Sequence, residues 1–206
     1  MKRHIIVAGN IGVGKSSLVE LLCRRLGWQP FYEVVVDNPY LADFYADMPR
    51  WAFHSQIFFL ANRLNLQRQI ADHPTAVVQD RSIYEDAEVF ARNLYEQGFI
   101  SERDYATYRR LYTSLLDLLP TPDVVIYLRA SVKTLHKRIL QRGRDYESKI
   151  TPVYLSQLNE LYEQWIANFD LCPLLVVETD DLDFVAHPAH LDFIIDRLRE
   201  HLPDSF

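Results

Sequence analysis

His4-Ile5-Ile6-Val7-Ala8-Gly9-Asn10-Ile11-Gly12-Val13-Gly14-Lys15-Ser16-Ser17 is the stretch that decides the fold. His4–Ala8 is short and apolar, the pattern of a strand buried on both faces. The glycines that follow let the backbone curl so that successive N–H groups point inward, as an anion requires. The spacing G-x-x-x-x-G-K-S ends on Lys15, whose ammonium can reach the β- and γ-phosphates, and Ser16, whose hydroxyl can ligate Mg²⁺. Leu18, Leu21, Leu22 and Leu26 then mark one face of a helix whose positive N-terminal end lies at the same turn. Strand, turn and helix together predict a cradle for a nucleoside triphosphate. It is built from Gly9, Asn10, Ile11, Gly12, Val13, Gly14, Lys15, Ser16 and Ser17. The acceptor of any transferred group is not specified by this motif.

Outward from that motif, further short apolar runs read as strands at Ala76–Gln79, Val124–Leu128 and Leu174–Val177, with a weaker one at Phe31–Glu33. Helical periodicity fills the intervals. Phe53, Ile57, Leu60, Ala61 and Leu64 form an apolar stripe on a long helix near Pro49–Asp72. More helices are expected at about Tyr84–Gln97, Glu102–Leu118, Val132–Gln141, Val153–Phe169 and Ala189–Leu202. Asn38-Pro39 reads as a helix entry, with Asn38 as N-cap. The alternation predicts an α/β chain of the P-loop NTPase type: a three-layer fold with a five-stranded parallel sheet and helices on both faces. One domain over residues 1–206 is expected, with a lid at about 138–148.

Composition narrows the function. The 206 residues are 49% hydrophobic and 24% charged, ordinary for a globular chain, with a formal net charge of −6. An acidic balance argues against binding to a nucleic-acid backbone. Two cysteines, Cys23 and Cys172, form no metal-ligand or disulfide pattern and read as small buried apolar residues. No apolar run reaches membrane-spanning length, so no membrane partner is expected. The start, MKRHIIVAG, mimics a signal peptide. Lys15 closes its apolar stretch early and no small-residue cleavage site follows, so a cytoplasmic location is expected.

Four further features are candidates for chemistry. Asp80-Arg81-Ser82 ends a buried strand, where ligands of open α/β sheets bind. An acid there can hold Mg²⁺ and an arginine can neutralise a transferring phosphoryl group; equally, the pair could simply cap the next helix. Arg138, Arg142 and Arg144 cluster around Gly143, which ends a helix. They suit phosphate oxygens, or else form a solvated basic helix end. Gln56 and Arg63 lie two turns apart beside aromatic residues. They could read the edge of a nucleobase, or form a surface-facing polar flank. Glu33 ends the weak strand as a candidate general base or a solvated strand end.

In this order, GNIGVGKSS, Glu33, Trp51 with Gln56, Asp80-Arg81-Ser82 and R-I-L-Q-R-G-R with Glu147 resemble the deoxynucleoside kinase family over residues 3–165. The stretch Asn38–Arg63 looks most like the bacterial purine enzymes of that family. The resemblance implies ATP-dependent phosphorylation of a deoxynucleoside 5′-hydroxyl, with Mg²⁺, in nucleotide salvage. Glu33 then matches the carboxylate that takes the hydroxyl proton, and Arg81 the residue that helps hold that hydroxyl. Ser16 and Asp80 match the Mg²⁺ side, and Arg138, Arg142 and Arg144 the lid arginines. Tyr45 and Glu147 match the pair that binds the 3′-hydroxyl, and that tyrosine crowds the 2′ position. Gln56 matches the base-reading amide, Phe90 the aromatic stacked on the base, and Trp51 a wall of the same pocket. Arg63 and Asp86 match a pair present in deoxycytidine and purine enzymes and absent from thymidine-preferring ones. Deoxyadenosine or deoxyguanosine is therefore the expected substrate, then deoxycytidine. A homodimer through the helices near Arg50–Asp72 and Tyr84–Gln97 is implied as well. Two departures stand out: Val34 follows Glu33 where many relatives carry proline, and Asp80 stands where many animal enzymes carry glutamate.

Two rival functions meet objections in the sequence. A nucleoside monophosphate kinase, of thymidylate kinase type, shares the phosphate cradle and arginine lid. Its acceptor carries a phosphate that Glu33 would repel. A nucleotide-dependent switch of the GTPase kind needs D-x-x-G and N-K-x-D, and neither occurs in this sequence.

Overall fold

The computed structural model describes residues 2–32, 38–144 and 150–202. Glu33 and Glu147 lie outside the described residues. The chain divides into two compact units. The first comprises Met1–Tyr32, His73–Arg81 and Thr121–Phe206; the second comprises Glu33–Asp72 and Ser82–Pro120.

The first unit is built on five parallel strands in the order β2-β3-β1-β4-β5. These are β1 (His4–Gly9), β2 (Gln29–Phe31), β3 (Val77–Asp80), β4 (Val124–Arg129) and β5 (Leu174–Glu178). The fold class expected from the sequence is therefore present. The weak strand lies earlier than expected: β2 pairs Gln29 with Val77 and Phe31 with Gln79. Helices α1 (Lys15–Leu26), α7 (Val132–Arg142), α8 (Pro152–Ala167) and α9 (Pro188–His201) belong to this unit. Ile5 and Val7 of β1 and Val124, Ile126 and Leu128 of β4 join one core with residues of α1, α7 and α9. Tyr127 has the opposite parity on β4, and its ring stacks 5.7 Å from Tyr162 of α8. Helices thus cover both faces. Their starts follow local chemistry: Ser131 caps α7 by accepting from Thr134 N–H, and Thr151 caps α8 ahead of Pro152. Cys23 is buried, but Cys172 is half-exposed because it sits in the turn before β5.

The second unit contains α2 (Leu41–Ala46), α3 (Met48–Asp72), α4 (Ile83–Glu85), α5 (Arg92–Glu96) and α6 (Glu102–Leu116). A π-helical stretch, Asp86–Ala91, joins α4 to α5. The single α-helix expected over Tyr84–Gln97 is thus widened in its middle. The helix entry also differs from expectation. Asn38 does not cap α2; its side chain accepts from Tyr40 N–H and donates to Ser55 Oγ, and the helix starts later, at Leu41.

The main correction concerns α3. Its buried positions are Ala52, Ser55, Gln56, Leu60, Arg63, Gln67 and Ile70. They recur with helical spacing, but most are polar. Of the expected apolar stripe only Leu60 is buried; Phe53, Ile57 and Leu64 are half-buried and Ala61 is exposed. The second unit therefore keeps polar side chains inside, and each must find partners there or lose free energy.

Candidate active site

In the first unit, β1 runs into the glycine-rich turn. Gly9 has φ +144°, and a Cβ there would lie 2.6 Å from Leu128 O. Gly12 has φ +84°, and a Cβ there would lie 2.7 Å from Ile139 Cγ1 and 2.9 Å from Leu135 O. Both positions thus require the absence of a side chain as well as a left-handed backbone. No side chain caps α1 at Gly14, and the electropositive end of the helix there suits an anion. Lys15 Nζ donates to the carbonyls of Gly9 at 2.7 Å and Asn10 at 3.1 Å. The loop is also tied from behind. Tyr162 Oη donates to Gly9 O, and Asn10 Nδ2 donates to Leu155 O and Asn159 Oδ1. These α8 residues carry no motif, and the sequence reading missed them.

Asp80 ends β3 directly opposite Val7. Ser16 Oγ donates to its Oδ2 at 2.5 Å. Oδ1 of the same carboxylate is buried without a hydrogen-bond partner. An orphaned carboxylate oxygen costs of order 1–3 kcal/mol or more, unless a cation satisfies it. No group of three or more acidic, histidine or cysteine side chains gathers among the described residues. Ser16 and Asp80 therefore fit a Mg²⁺ held jointly by few protein oxygens and by substrate phosphates, rather than by a protein cage. Helix capping in Asp80-Arg81-Ser82 falls to the third residue. Ser82 N–H donates to Glu85 Oε2 at 2.8 Å and Ser82 Oγ accepts from Glu85 N–H, a reciprocal capping box. Arg81 has φ +62°, the one non-glycine residue with positive φ among those described. For an L-residue this costs of order 1–2 kcal/mol.

The arginine cluster is split by depth and not by helix phase, since Arg138 and Arg142 lie four residues apart on one face of α7. Arg138 is part-buried: its guanidinium donates to Val13 O, to Thr179 Oγ1 and O, and to Leu182 O at 2.7–3.2 Å. Burial pulls its pKa below the ordinary value, while Asp180 and Asp183 oppose that shift. Arg142 and Arg144 are exposed on either side of Gly143, which closes α7 in the left-handed conformation. A cavity of about 730 Å³ opens beside the phosphate loop, lined by Gly12, Gly14, Arg138, Arg142, Asp180 and Phe184 among others. Its volume suits a nucleotide-sized ligand. The loop after β5 forms one wall. Its place at the carboxyl end of a strand was the signal that could have marked it.

In the second unit, Arg63 of α3 and Asp86 of the π-helical stretch form a two-pronged pair: Nε to Oδ2 at 2.9 Å and Nη2 to Oδ1 at 3.3 Å. Both side chains are nearly inaccessible, at 4% and 5% exposure. Gln56 is buried on the same face of α3, so the surface-flank reading of Gln56 and Arg63 is overturned. Phe90 is half-buried. Tyr45 and Trp51 pack around Phe44 and Ala52, with the Trp51 ring 5.7 Å from Tyr40. A guanidinium and a carboxylate held side by side offer a donor next to an acceptor, which one edge of a nucleobase can match.

The comparisons with known proteins concern the chain as a whole. The deoxynucleoside kinase family model matches residues 5–203. A deoxyadenosine/deoxycytidine kinase of Bacillus subtilis is 40% identical, over all of this chain and 99% of its own. A deoxyguanosine kinase of Lactobacillus acidophilus is 37% identical, over 95% of this chain and 91% of its own. A solved deoxyadenosine kinase from M. mycoides, with the products dCMP and dCDP bound, superposes with a TM-score of 0.85. It is 32% identical and covers 96% of this chain and 99% of that one. Among the described residues no helix is long and apolar enough to cross a membrane. With its phosphate cradle, its Asp-Arg-Ser strand end and its buried Arg63–Asp86 pair, the chain belongs to the deoxynucleoside kinase family and is a phosphotransferase.

Proposed function

We propose that this kinase moves the γ-phosphoryl group of ATP to the 5′-hydroxyl of deoxyadenosine or deoxyguanosine, with deoxycytidine as a further substrate. The observation that supports the base assignment is the buried Arg63–Asp86 pair on the polar face that also carries Gln56. Adenine and cytosine each set an amino donor beside a ring-nitrogen acceptor, which suits a carboxylate beside a guanidinium. Thymine and guanine offer the reverse order at that edge, so the pair itself supports deoxyadenosine and deoxycytidine, and deoxyguanosine rests on the relatives named for it. The name of the relative that acts on deoxyadenosine and deoxycytidine points the same way as the pair.

In this reading residues 9–17 hold the triphosphate, and the cavity beside Arg138 and Phe184 takes the rest of the donor. Glu33 takes the proton from the 5′-hydroxyl as the new O–P bond forms and the bond to the ADP oxygen breaks. Arg81, Arg142 and Arg144 neutralise the charge that spreads over the transferring group. Arg138 steadies the cradle through Val13 O. Phe90 and Trp51 flank the base, while Tyr45 and Glu147 hold the 3′-hydroxyl and disfavour ribose. Ser16 and Asp80 would hold Mg²⁺, which when bound draws electron density from the phosphate oxygens. The half-buried apolar side chains of α3, Phe53, Ile57 and Leu64, support a homodimer through that helix. Nucleotide salvage in the cytoplasm belongs to the same proposal.

The test is a panel. The protein is incubated with Mg-ATP and each of deoxyadenosine, deoxyguanosine, deoxycytidine, thymidine, their ribose counterparts and dTMP, and ADP release is followed. Turnover of the purine deoxynucleosides well above their ribose analogues is expected. Turnover of thymidine alone would refute the role of Arg63 and Asp86. Turnover of dTMP alone would refute that of Glu33.

A further inference from the structure

His4 and Gln79 are buried polar residues that the reaction as described leaves unused. Gln79 has no exposure at all and His4 only 7%. In the parallel register of β1 and β3, His4 stands opposite Val77 and Ile6 opposite Gln79. The two side chains therefore project from the same face, one residue pair apart. They meet, with His4 Nε2 2.8 Å from Gln79 Oε1. At its other end Gln79 Nε2 donates to the carbonyl of Arg81 at 2.9 Å. A backbone carbonyl can only accept, so this contact fixes which end of the amide is which. The amide oxygen is left facing the imidazole, so His4 carries its proton on Nε2. Burial holds His4 below its ordinary pKa, which keeps the ring neutral.

The far end of this chain is a residue in a costly conformation. Arg81 alone among the described non-glycine residues has positive φ. Its N–H donates to Val7 O at 3.1 Å, and its carbonyl receives the Gln79 amide. β1 thus grips the Arg81 peptide on one side and Gln79 grips it on the other. A valine or leucine at position 79 would fill a fully buried strand site without a desolvated amide. A glutamine is favourable there only if its hydrogen bonds are made, and one of them lands on the strained residue.

We propose that Gln79, backed by His4, is a positioning residue for Arg81: its amide holds the left-handed turn on which the Arg81 side chain is carried into the transfer step. The proposal rests on the assignment of Arg81 to that step. Glutamine 79 and histidine 4 touch no reacting atom and act only through the Arg81 backbone.

Steady-state kinetics of five single variants and one double variant test this, with ATP and deoxynucleoside varied separately. Gln79→Leu removes the donor at similar volume. Gln79→Glu keeps the shape and the histidine contact but offers Arg81 no N–H. Either should lower kcat by about ten- to a hundredfold, the scale of a small misplacement of a reacting group. KM for ATP should stay within about twofold, because the phosphate loop is untouched. His4→Leu should lose part of kcat, and His4→Gln, which restores a donor to Gln79 Oε1, should recover it. Gln79→Leu in an Arg81→Ala background should cost nothing beyond Arg81→Ala alone. If Arg81→Ala is impaired while folded Gln79→Leu and Gln79→Glu keep full kcat, the positioning role is refuted and that of Arg81 stands. Additive losses in the double variant, or a KM for ATP that rises as much as kcat falls, refute it too. If Arg81→Ala itself keeps full kcat, the assignment of Arg81 fails and the proposal fails with it. Should Gln79→Leu not fold, Gln79→Glu and the two His4 variants carry the same decision.

Discussion

Arg63→Met is the most informative single change in the second unit. It keeps a flexible stem of similar length and deletes the guanidinium, leaving the Asp86 carboxylate buried without its two donors. Removing one partner of a buried ion pair costs about 3–5 kcal/mol, because the remaining charge stays desolvated. Domains of this kind are stable by only about 5–15 kcal/mol, so the variant should be marginal. With a urea slope of about 2 kcal/mol/M, the midpoint should fall by roughly 1.5–2.5 M. Arg63→Met/Asp86→Leu removes both charges and should recover most of that loss, since an apolar pair of similar volume costs little. Urea titration followed by fluorescence, with Trp51 reporting on this unit, measures all four corners of the cycle. A loss below about 1 kcal/mol in the single variant would refute the claim that the pair is desolvated and mutually required. A double variant as unstable as the two singles summed would refute it equally. Activity should not follow stability: the double variant should fold and still lose turnover of deoxyadenosine.

Three other expectations follow from the same geometry. Glu33→Gln should lower kcat by about a hundredfold or more while KM for ATP barely changes, and a fully active variant would remove Glu33 from the chemistry. Gly12→Ala places a methyl group 2.7 Å from Ile139 Cγ1 on a left-handed backbone. Calorimetric titration with ATP should show at least about tenfold weaker binding and a stability loss of about 1–3 kcal/mol; unchanged affinity would mean the loop yields freely. His4 is held below its ordinary pKa of 6.5 by burial, so below pH 6.5 the unfolded chain binds more protons at this site than the folded one. Its contribution to stability is complete above pH 6.5 and declines as pH falls, so the difference in stability between the parent and His4→Gln should change with pH only on the acid side.

The sheet was legible because each central strand is a short apolar run with a turn signal after it, and a strand buried on both faces leaves little else to read. The helix starts at about Val132 and Val153 were legible from their periodicity, and the structure adds their caps, Ser131 and Thr151, which act on their own backbone. The buried side of α3 was not. Phe53, Ile57 and Leu64 recur with the same period as Ser55, Gln56, Arg63 and Gln67, so periodicity gives a helix without saying which side meets the interior. What decides is the partner: Asp86 arrives from another element, 23 residues away. In Asp80-Arg81-Ser82 the sequence shows three polar residues, yet only the folded structure separates the orphaned carboxylate, the strained backbone and the cap. Spacing groups Arg138 with Arg142 and Arg144, but its turn of α7 places it among carbonyls. The π-helical stretch leaves no mark in composition that a sequence reading could use.

The helix that carries Arg138 has a mechanical consequence. Its start is pinned, with Ser131 held by Asp180, and Leu135 and Ile139 in the core against Gly12. Arg138 adds four hydrogen bonds to carbonyl and hydroxyl oxygens. Charged donors of this kind each contribute about 1.5–3 kcal/mol, so detaching this side chain would require more free energy than a bound phosphate returns by one contact. The first half of α7 is therefore a stator. If Arg142 and Arg144 shift to meet a ligand, that shift begins after Ile139, and the left-handed Gly143 lies between the two.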